Sequence, residues 1–71
     1  HRFIHVHRNE PGVLAAINAV MAEHRINILG QHLKTNDRIG YVITDVSRKY
    51  QPNVIEELAR VRHTISFRVL Y

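Results

Sequence analysis

The chain has 71 residues, of which 45% are hydrophobic, and it carries a formal net charge of +4. This length predicts a single domain with a marginal core, and the composition is typical of a folded chain. No cysteine is present, which excludes disulfides, thiolate metal sites and thiol catalysis and is compatible with a cytoplasmic location. No apolar run approaches the roughly 18 residues of a membrane span, so no membrane contact is expected. Because the sequence begins with His1 rather than Met, we interpret residues 1–71 as one domain from a longer chain.

The ten basic residues are spread along the whole chain rather than clustered. Clustered lysines and arginines would favour binding to the phosphates of a nucleic acid. Their dispersion instead favours a mixed, solvated surface, and we expect no nucleic acid partner.

The first half of the sequence predicts a strand, a helix and a second strand. Residues 2–7 alternate between two faces, and one of these faces is clearly apolar. That face carries Arg2, Ile4 and Val6, and the other carries Phe3, His5 and His7. From residue 11 to about residue 23, apolar side chains recur at spacings of three and four, which indicates an amphipathic helix. Residues 26–34 follow as a second strand, with Gly30 inside it as a bulge or a point of close approach.

The second half predicts a third strand, a second helix and a fourth strand. Residues 35–40 form a polar turn, and the β-branched residues 41–46 form the third strand. Pro52 begins the second helix, since proline suits the first helical position. The apolar stripe of this helix consists of Val54, Ile55, Leu58, Ala59 and Val61. Residues 63–71 form the fourth strand.

The predicted order is therefore β-α-β-β-α-β, which is the α+β, ferredoxin-like arrangement. Its four strands form an antiparallel sheet with both helices on one face. Right-handed crossovers place the first and third strands in the middle and the second and fourth at the edges. An uncovered edge strand can pair with another chain, so a dimer made by edge pairing is a natural outcome.

Histidine is the commonest metal ligand, so the six histidines of the chain are candidates for a metal site. His5 and His7 share a face of the first strand, and His32 or His63 could approach from neighbouring strands. However, no carboxylate lies near the pair and no HxxxH spacing occurs in a helix. We therefore expect no metal, and interpret these histidines as a solvent-exposed face or as contacts to a ligand. The sequence contains no paired carboxylates and no Ser-His-Asp arrangement that this topology would bring together. We therefore do not expect this chain to be an enzyme by itself.

An RNA-recognition module has the same order of elements and is the main alternative of another class. It needs exposed aromatic side chains on the central strands to stack against bases. Here Tyr41 is the only aromatic residue of the third strand, and Phe3 shares its face with two histidines. This is at best a partial stacking platform.

The segment HRNEPGVLAAI carries the most specific polar pattern. If Pro11 is the first helical residue, Glu10 is the N-cap, and glutamate caps helices poorly. The first helix would then offer free N–H groups to a small carboxylate. His7, Asn9 and Asn27 could bind the rest of such a ligand. Alternatively, Asn9 caps the helix, Asn27 satisfies a local turn and His7 is only solvated.

The whole chain resembles the C-terminal ACT domains of bacterial D-3-phosphoglycerate dehydrogenases, in the form that L-serine inhibits. The resemblance rests on HVHRNEPGVLAAINAVMAEHRINILGQHLKT, on IGYVITDV and on the terminal VLY. The motifs HxHxNxPGVL and xINIxxQxLxT are specific in combination, whereas PGVL alone would indicate only an ACT domain.

The resemblance implies an amino-acid sensor that feedback-inhibits L-serine biosynthesis. Two ACT domains would pair through strand edges, and L-serine would bind between them. His7 and Asn9 would contact serine from one subunit, and Asn27 would reach it from the second strand of the other. The backbone that closes on the ligand would be that of Pro11, Gly12, Val13 and Leu14. The resemblance also implies a cytoplasmic, homotetrameric parent, whose catalytic domains bind NAD outside this fragment.

Two readings within the same family stay open. The ligand could be another small amino acid such as glycine, or the domain could serve only in assembly. Glu10 stands where the most readily compared family member has a basic residue. A carboxylate at this corner would weaken the affinity without changing the class of ligand.

Overall fold

The computed structural model describes residues 1–47 and 50–71, and the elements in them follow the predicted order. They are β1 (Arg2–Arg8), α1 (Val13–Glu23), β2 (Ile28–Thr35), β3 (Ile39–Val46), α2 (Pro52–Ala59) and β4 (Thr64–Val69). The strands form one antiparallel sheet in the order β2-β3-β1-β4. The ferredoxin-like fold is thus confirmed, with β1 and β3 in the middle and β2 and β4 at the edges. Neither helix in the described part of the chain is long and apolar enough to cross a membrane.

The core lies between one face of the sheet and the two helices. Its buried apolar side chains are Phe3, Val13, Ile17, Met21, Ile26, Val42, Val46, Val54 and Leu58. Phe3 is fully buried and its ring lies 5.4 Å from that of Phe67, centroid to centroid. Burying one such side chain stabilises the fold by roughly 1.5–3 kcal/mol, so these few residues provide most of the driving force.

The face of β1 that the helices cover is not its more apolar one. Phe3, His5 and His7 point into the core, whereas Ile4 and Val6 lie half-buried on the open face of the sheet. The interpretation of the two histidines as part of a solvent-exposed face was wrong. The cost of burying His5 is reduced because its Nε2 atom has hydrogen-bond partners inside the fold.

The beginning of α1 also differs from the prediction. The helix begins at Val13, and Gly12 rather than Glu10 is its N-cap. Gly12 has a φ of 88°, in the left-handed region that costs other residues energy, so a glycine is required at this corner. Pro11 therefore lies in the preceding turn, whereas Pro52 does begin α2 as predicted.

The strand boundaries shift by a few residues, and the predicted irregularity in β2 is present. β2 begins at Ile28 rather than at residue 26, and β3 begins at Ile39 rather than at Tyr41. The pairing of β2 with β3 changes register between Ile28 and Gly30, which confirms a bulge next to the glycine. Arg48 and Lys49 of the predicted loop lie outside the described residues.

Candidate functional site

His7 is the best-defined polar side chain near the corner between β1 and α1. It is 3% exposed, and its imidazole lies directly over Gly40 of β3. A Cβ atom on Gly40 would lie 2.7 Å from His7 Nε2 and 2.9 Å from Thr35 Cγ2, which is closer than real Cβ atoms come. The ring thus points across β3 toward the edge strand β2, and it can do so only because residue 40 has no side chain.

His5 supports the ring of His7 from inside the core. The two Nδ1 atoms lie 3.4 Å apart. On its other side, His5 Nε2 lies 3.2 Å from the carbonyl oxygen of Leu58 and 2.9 Å from Thr64 Oγ1. Burial lowers the pKa of both histidines, and the neighbouring His7 lowers the pKa of His5 further. Both imidazoles are therefore neutral at pH 7.

The outer nitrogen of His7 is available for a ligand. His7 Nε2 makes no hydrogen bond to any residue that the structure describes, although the side chain is almost completely buried. The nitrogen itself is not sealed from solvent, since His24 Nε2 and Tyr50 OH are the fully buried side-chain atoms that lack a hydrogen-bond partner among the described residues. A ligand can therefore replace water at this atom. This atom is the strongest indication of a binding site in the domain.

The first turn of α1 has no side-chain cap among the described residues, although Gly12 rather than Glu10 is the N-cap. The first helical hydrogen bond runs from the Ala16 amide to the Gly12 carbonyl. The amides of Val13 and Leu14 therefore belong to the positive end of the helix dipole and have no side-chain acceptor among the described residues. Pro11 and Gly12 also line a cleft of about 230 Å³ against the α2–β4 loop.

Asn9 does not cap the helix. Its Nδ2 donates to the carbonyl oxygen of Asn36, 2.8 Å away, and this bond ties the corner to the β2–β3 turn. Asn9 is exposed, so its Oδ1 atom remains accessible next to the corner. The alternative in which Asn9 serves only as a helix cap is thus wrong.

Asn27 lies immediately before β2 and is held by its backbone. Its amide donates to Ser47 Oγ at 3.2 Å, and its carbonyl accepts from the amide of Ser47 at 3.0 Å. The side chain is exposed and makes no hydrogen bond to a described residue. The backbone satisfies the local turn, and the side-chain amide is free for another role.

His7 and Asn27 lie at opposite ends of the sheet. His7 pairs with Gly40, which pairs with Thr35 at the end of β2, whereas Asn27 precedes Ile28 at the beginning of β2. The eight-residue strand separates them by roughly 20 Å or more, at about 3.3 Å per residue. Within one copy of the domain, His7 and Asn9 share the corner, and Asn27 cannot reach the same small ligand.

The structure does not assemble the alternative sites. In the described residues no group of three metal-ligating side chains occurs, and His32 lies against Tyr41 on the open face, away from His5 and His7. Phe3 is fully buried and cannot stack against a base. The partial stacking platform on the first strand therefore does not exist.

Comparison with known proteins decides the family. A family model described as "AHAS small subunit-like ACT domain" matches residues 3–66. The chain belongs to the ACT-domain family. This ACT domain is 39% identical over 70 residues to D-3-phosphoglycerate dehydrogenase of Haemophilus influenzae, and the match covers 99% of the chain. It is 36% identical over 72 residues to the enzyme of the same name from Escherichia coli, again over 99% of the chain.

The ACT domain spans only a small part of these relatives, 17% of the Haemophilus influenzae protein and 18% of the Escherichia coli protein. Among solved structures, the ACT domain of GTP pyrophosphokinase from Chlorobium tepidum has the same fold, with a TM-score of 0.79. That match covers 94% of this chain and 91% of the other at 17% sequence identity, so it supports the fold alone.

Proposed function

We propose that this ACT domain binds L-serine between two copies of itself and so regulates a D-3-phosphoglycerate dehydrogenase of which it forms part. His7 and Asn9 of one copy and Asn27 of the other hold the ligand. Its carboxylate lies against the amides at the start of α1, next to Pro11 and Gly12. NAD binds to the catalytic part of the parent enzyme and has no role in this domain.

The observation that carries the proposal is the unpartnered Nε2 atom of His7. The side chain is 3% exposed, the nitrogen itself is still accessible, and it lies over Gly40 next to Thr35 of the edge strand β2. The large majority of buried side-chain polar atoms have a hydrogen-bond partner within the fold or in ordered water. Here only the inner nitrogen is satisfied, as expected for a side chain that completes its hydrogen bonds with a ligand.

The distance between His7 and Asn27 supports a site shared by two copies. In an antiparallel pairing about the middle of β2, the Asn27 end of one copy meets the Thr35 end of the other. Such a two-fold contact is isologous, so the same pairing would create two equivalent sites. Each site would combine His7 and Asn9 from one copy with Asn27 from the second, although no single copy can do so.

The β2 edge suits this pairing better than the β4 edge. β2 is exposed along all of its length except Ile28, and its leucines Leu29 and Leu33 are 71% and 42% exposed. β4 is shorter and lies on the side of β1 away from Gly40. A ligand that touches His7 Nε2 therefore lies next to β2.

The mechanism of regulation follows from a ligand that binds only to the paired state. Such a ligand favours that state by the difference in its affinity for the two states. Coupling between a regulatory and a catalytic site is typically about 1–3 kcal/mol, enough to change activity several-fold. The paired sheet would transmit this preference to the catalytic domains as a change in the position of the regulatory domain.

The proposal is tested by thermal unfolding of the 71-residue chain with L-serine, D-serine, glycine and a single-stranded oligonucleotide. At one hundred times its dissociation constant, a ligand stabilises the folded state by about 2.7 kcal/mol. For a domain of this size, that raises the melting temperature by roughly 10–20 °C. We expect this increase with L-serine only, together with a shift from monomer to dimer in sedimentation velocity.

Each other outcome identifies an alternative. An equal increase with glycine would favour a sensor of another small amino acid, and no increase with either would leave a domain for assembly. Oligonucleotide binding that weakens with salt would instead favour the nucleic acid module.

A further inference from the structure

We infer that His5 is a positioning residue that, with Thr64, fixes the tautomer of His7, so that His7 accepts a hydrogen bond from the ligand and does not donate one. This inference rests on the proposed role of His7 in binding. It adds a specificity: the ligand group at His7 Nε2 has to carry a proton, as a hydroxyl or an ammonium group does.

The hydrogen bonds that link Val61, Thr64, His5 and His7 determine which ring nitrogens carry a proton. The carbonyl oxygens of Leu58 and Val61 can only accept hydrogen bonds. The Thr64 hydroxyl donates its single proton to the Val61 carbonyl, so it can only accept from His5. His5 Nε2 faces Leu58 O at 3.2 Å and Thr64 Oγ1 at 2.9 Å, two acceptors, and it therefore carries the proton.

The tautomer of His5 determines the tautomer of His7. A neutral imidazole with a proton on Nε2 has a bare lone pair on Nδ1. If His7 also had a bare Nδ1, two lone pairs would face each other across 3.4 Å inside the core. The arrangement is favourable only when His7 Nδ1 carries the proton and donates it to His5. His7 Nε2 is then unprotonated.

Both histidines have to be neutral for this assignment, and their surroundings keep them so. His5 is fully buried and His7 is 3% exposed, and burial lowers the pKa of each. The groups that face them directly are a threonine hydroxyl, backbone carbonyls and each other, and none is a carboxylate. Among the described residues, no carboxylate hydrogen-bonds to either ring to stabilise an imidazolium.

The consequence for the site is a directed acceptor at the β2 edge. His7 Nε2 lies over Gly40, and the side chain of Thr35 borders the same space. A serine hydroxyl can donate to it, whereas alanine has a methyl group of similar size that cannot. The network also links the site to the end of α2 through Leu58 and to β4 through Thr64.

The direct test is the tautomer of His7, read from the ¹⁵N shifts of its ring nitrogens in long-range ¹H–¹⁵N spectra of the unliganded chain. We expect a protonated Nδ1 and an unprotonated Nε2 in the wild type. In His5→Leu the partner of Nδ1 is lost, and His7 should change to the Nε2–H form. His5→Asn places a carbonyl oxygen where Nδ1 was, so it should restore the wild-type pattern.

The second readout is affinity. We expect His5→Leu to weaken L-serine binding roughly ten-fold and His5→Asn to recover most of it. Thr64→Val should have the smaller effect, since the Leu58 carbonyl still holds the His5 proton, and Thr64→Ser should behave as the wild type.

The outcomes separate this inference from the proposed function. A wild-type His7 with its proton on Nε2, or a tautomer unchanged in His5→Leu, overturns the inference even if serine binds. If the tautomers follow the expectation but no variant, including the wild type, binds serine, the proposed ligand is wrong and the hydrogen-bond network stands. If His5→Leu does not fold, the wild-type spectrum and His5→Asn still decide.

Discussion

The two ends of the proposed site are built in opposite ways. His7 is buried, fitted over Gly40 and supported by His5 before any ligand arrives. Asn27 is exposed, and only its backbone is hydrogen-bonded. One end is thus prepared by the fold of a single copy, whereas in the proposed dimer the other end joins the site only when a second copy brings it there.

This difference teaches how a small domain can detect a small molecule. A preorganised half lowers the entropy lost on binding, because its side chain is already in place. If the second copy supplies the other half of the site, the ligand binds only to the assembled state. Ligand binding then shifts the equilibrium toward assembly. The mutations below act on one end at a time.

Gly40→Ala should reduce serine binding more than any other variant proposed here, because the new methyl group displaces the imidazole of His7. The new Cβ would lie 2.7 Å from His7 Nε2, so the imidazole has to move away from its position. We expect loss of measurable L-serine binding by titration calorimetry. Overpacking should also lower the free energy of unfolding in urea by about 1–3 kcal/mol.

Gly30→Ala is the matched control for that variant. The nearest atom to a Cβ on Gly30 is Asp45 Oδ2 at 3.8 Å, an ordinary contact. Its free energy of unfolding should stay close to the wild-type value. Full serine affinity in Gly40→Ala would show that His7 does not need its present position.

Asn27→Ala should abolish serine binding and leave the fold intact. The substitution removes only the side-chain amide, and both backbone hydrogen bonds to Ser47 remain possible. The melting temperature without ligand should be unchanged, and the increase caused by serine should disappear. Asn53→Ala, at an exposed asparagine of α2, should behave as the wild type in both measurements. Wild-type affinity in Asn27→Ala would remove this residue from the site.

Leu33→Lys should weaken dimer formation through the β2 edge by about ten-fold or more, since a charge there opposes the pairing of two identical strands. Ile65→Lys changes the other edge of the sheet and is the control. Leu33 is 42% exposed and Ile65 is 52% exposed, so neither substitution removes a core residue. Sedimentation equilibrium measures both dimer constants. Equal weakening by the two variants would mean that β2 is not the specific edge.

The order of elements could be predicted from the sequence because each has a clear period and each ends at a turn residue. Residues 2–7 alternate, the first helix repeats every three to four residues, and Pro52 marks the start of the second helix. The start of α1 was predicted wrongly. Proline at a corner suggested the first helical position, but the positive φ of Gly12 delays the helix to Val13.

The burial of β1 could not be predicted from its own residues. Ile4 and Val6 suggest the core, yet His5 and His7 occupy it. The reason is a set of partners far along the chain, Leu58 and Thr64, which satisfy His5 inside the protein. A local pattern contains no information on such contacts.

Gly40 was missed for a related reason. The local sequence places it in the polar turn, whereas only a glycine inside a strand pattern indicates close approach. In the sequence, His7, Asn9 and Asn27 are polar residues at the ends of predicted elements. Their separation into two ends of the sheet became visible only with the strand register.

The smallest predicted effect concerns pH and again separates the two ends. The pKa values of His5 and His7 are lowered from 6.5 by burial. Below about pH 6.5, His5 and His7 are therefore protonated in the unfolded chain more than in the folded chain. The free energy of unfolding should consequently decrease as the pH falls from 7.5 to 5.5, measured by urea denaturation without ligand.

The Asn27 end contributes no titratable side chain, so Asn27→Ala should keep the same pH dependence as the wild type. His5→Leu removes one of the two buried groups and should make the profile flatter. Serine affinity should fall over the same range, because protonation of His7 Nε2 removes the acceptor that the ligand needs. A free energy of unfolding that stays constant between pH 7.5 and 5.5 would contradict this prediction. It would mean that the two histidines have the same pKa in the folded and the unfolded chain. His7 would then not be kept neutral by the fold.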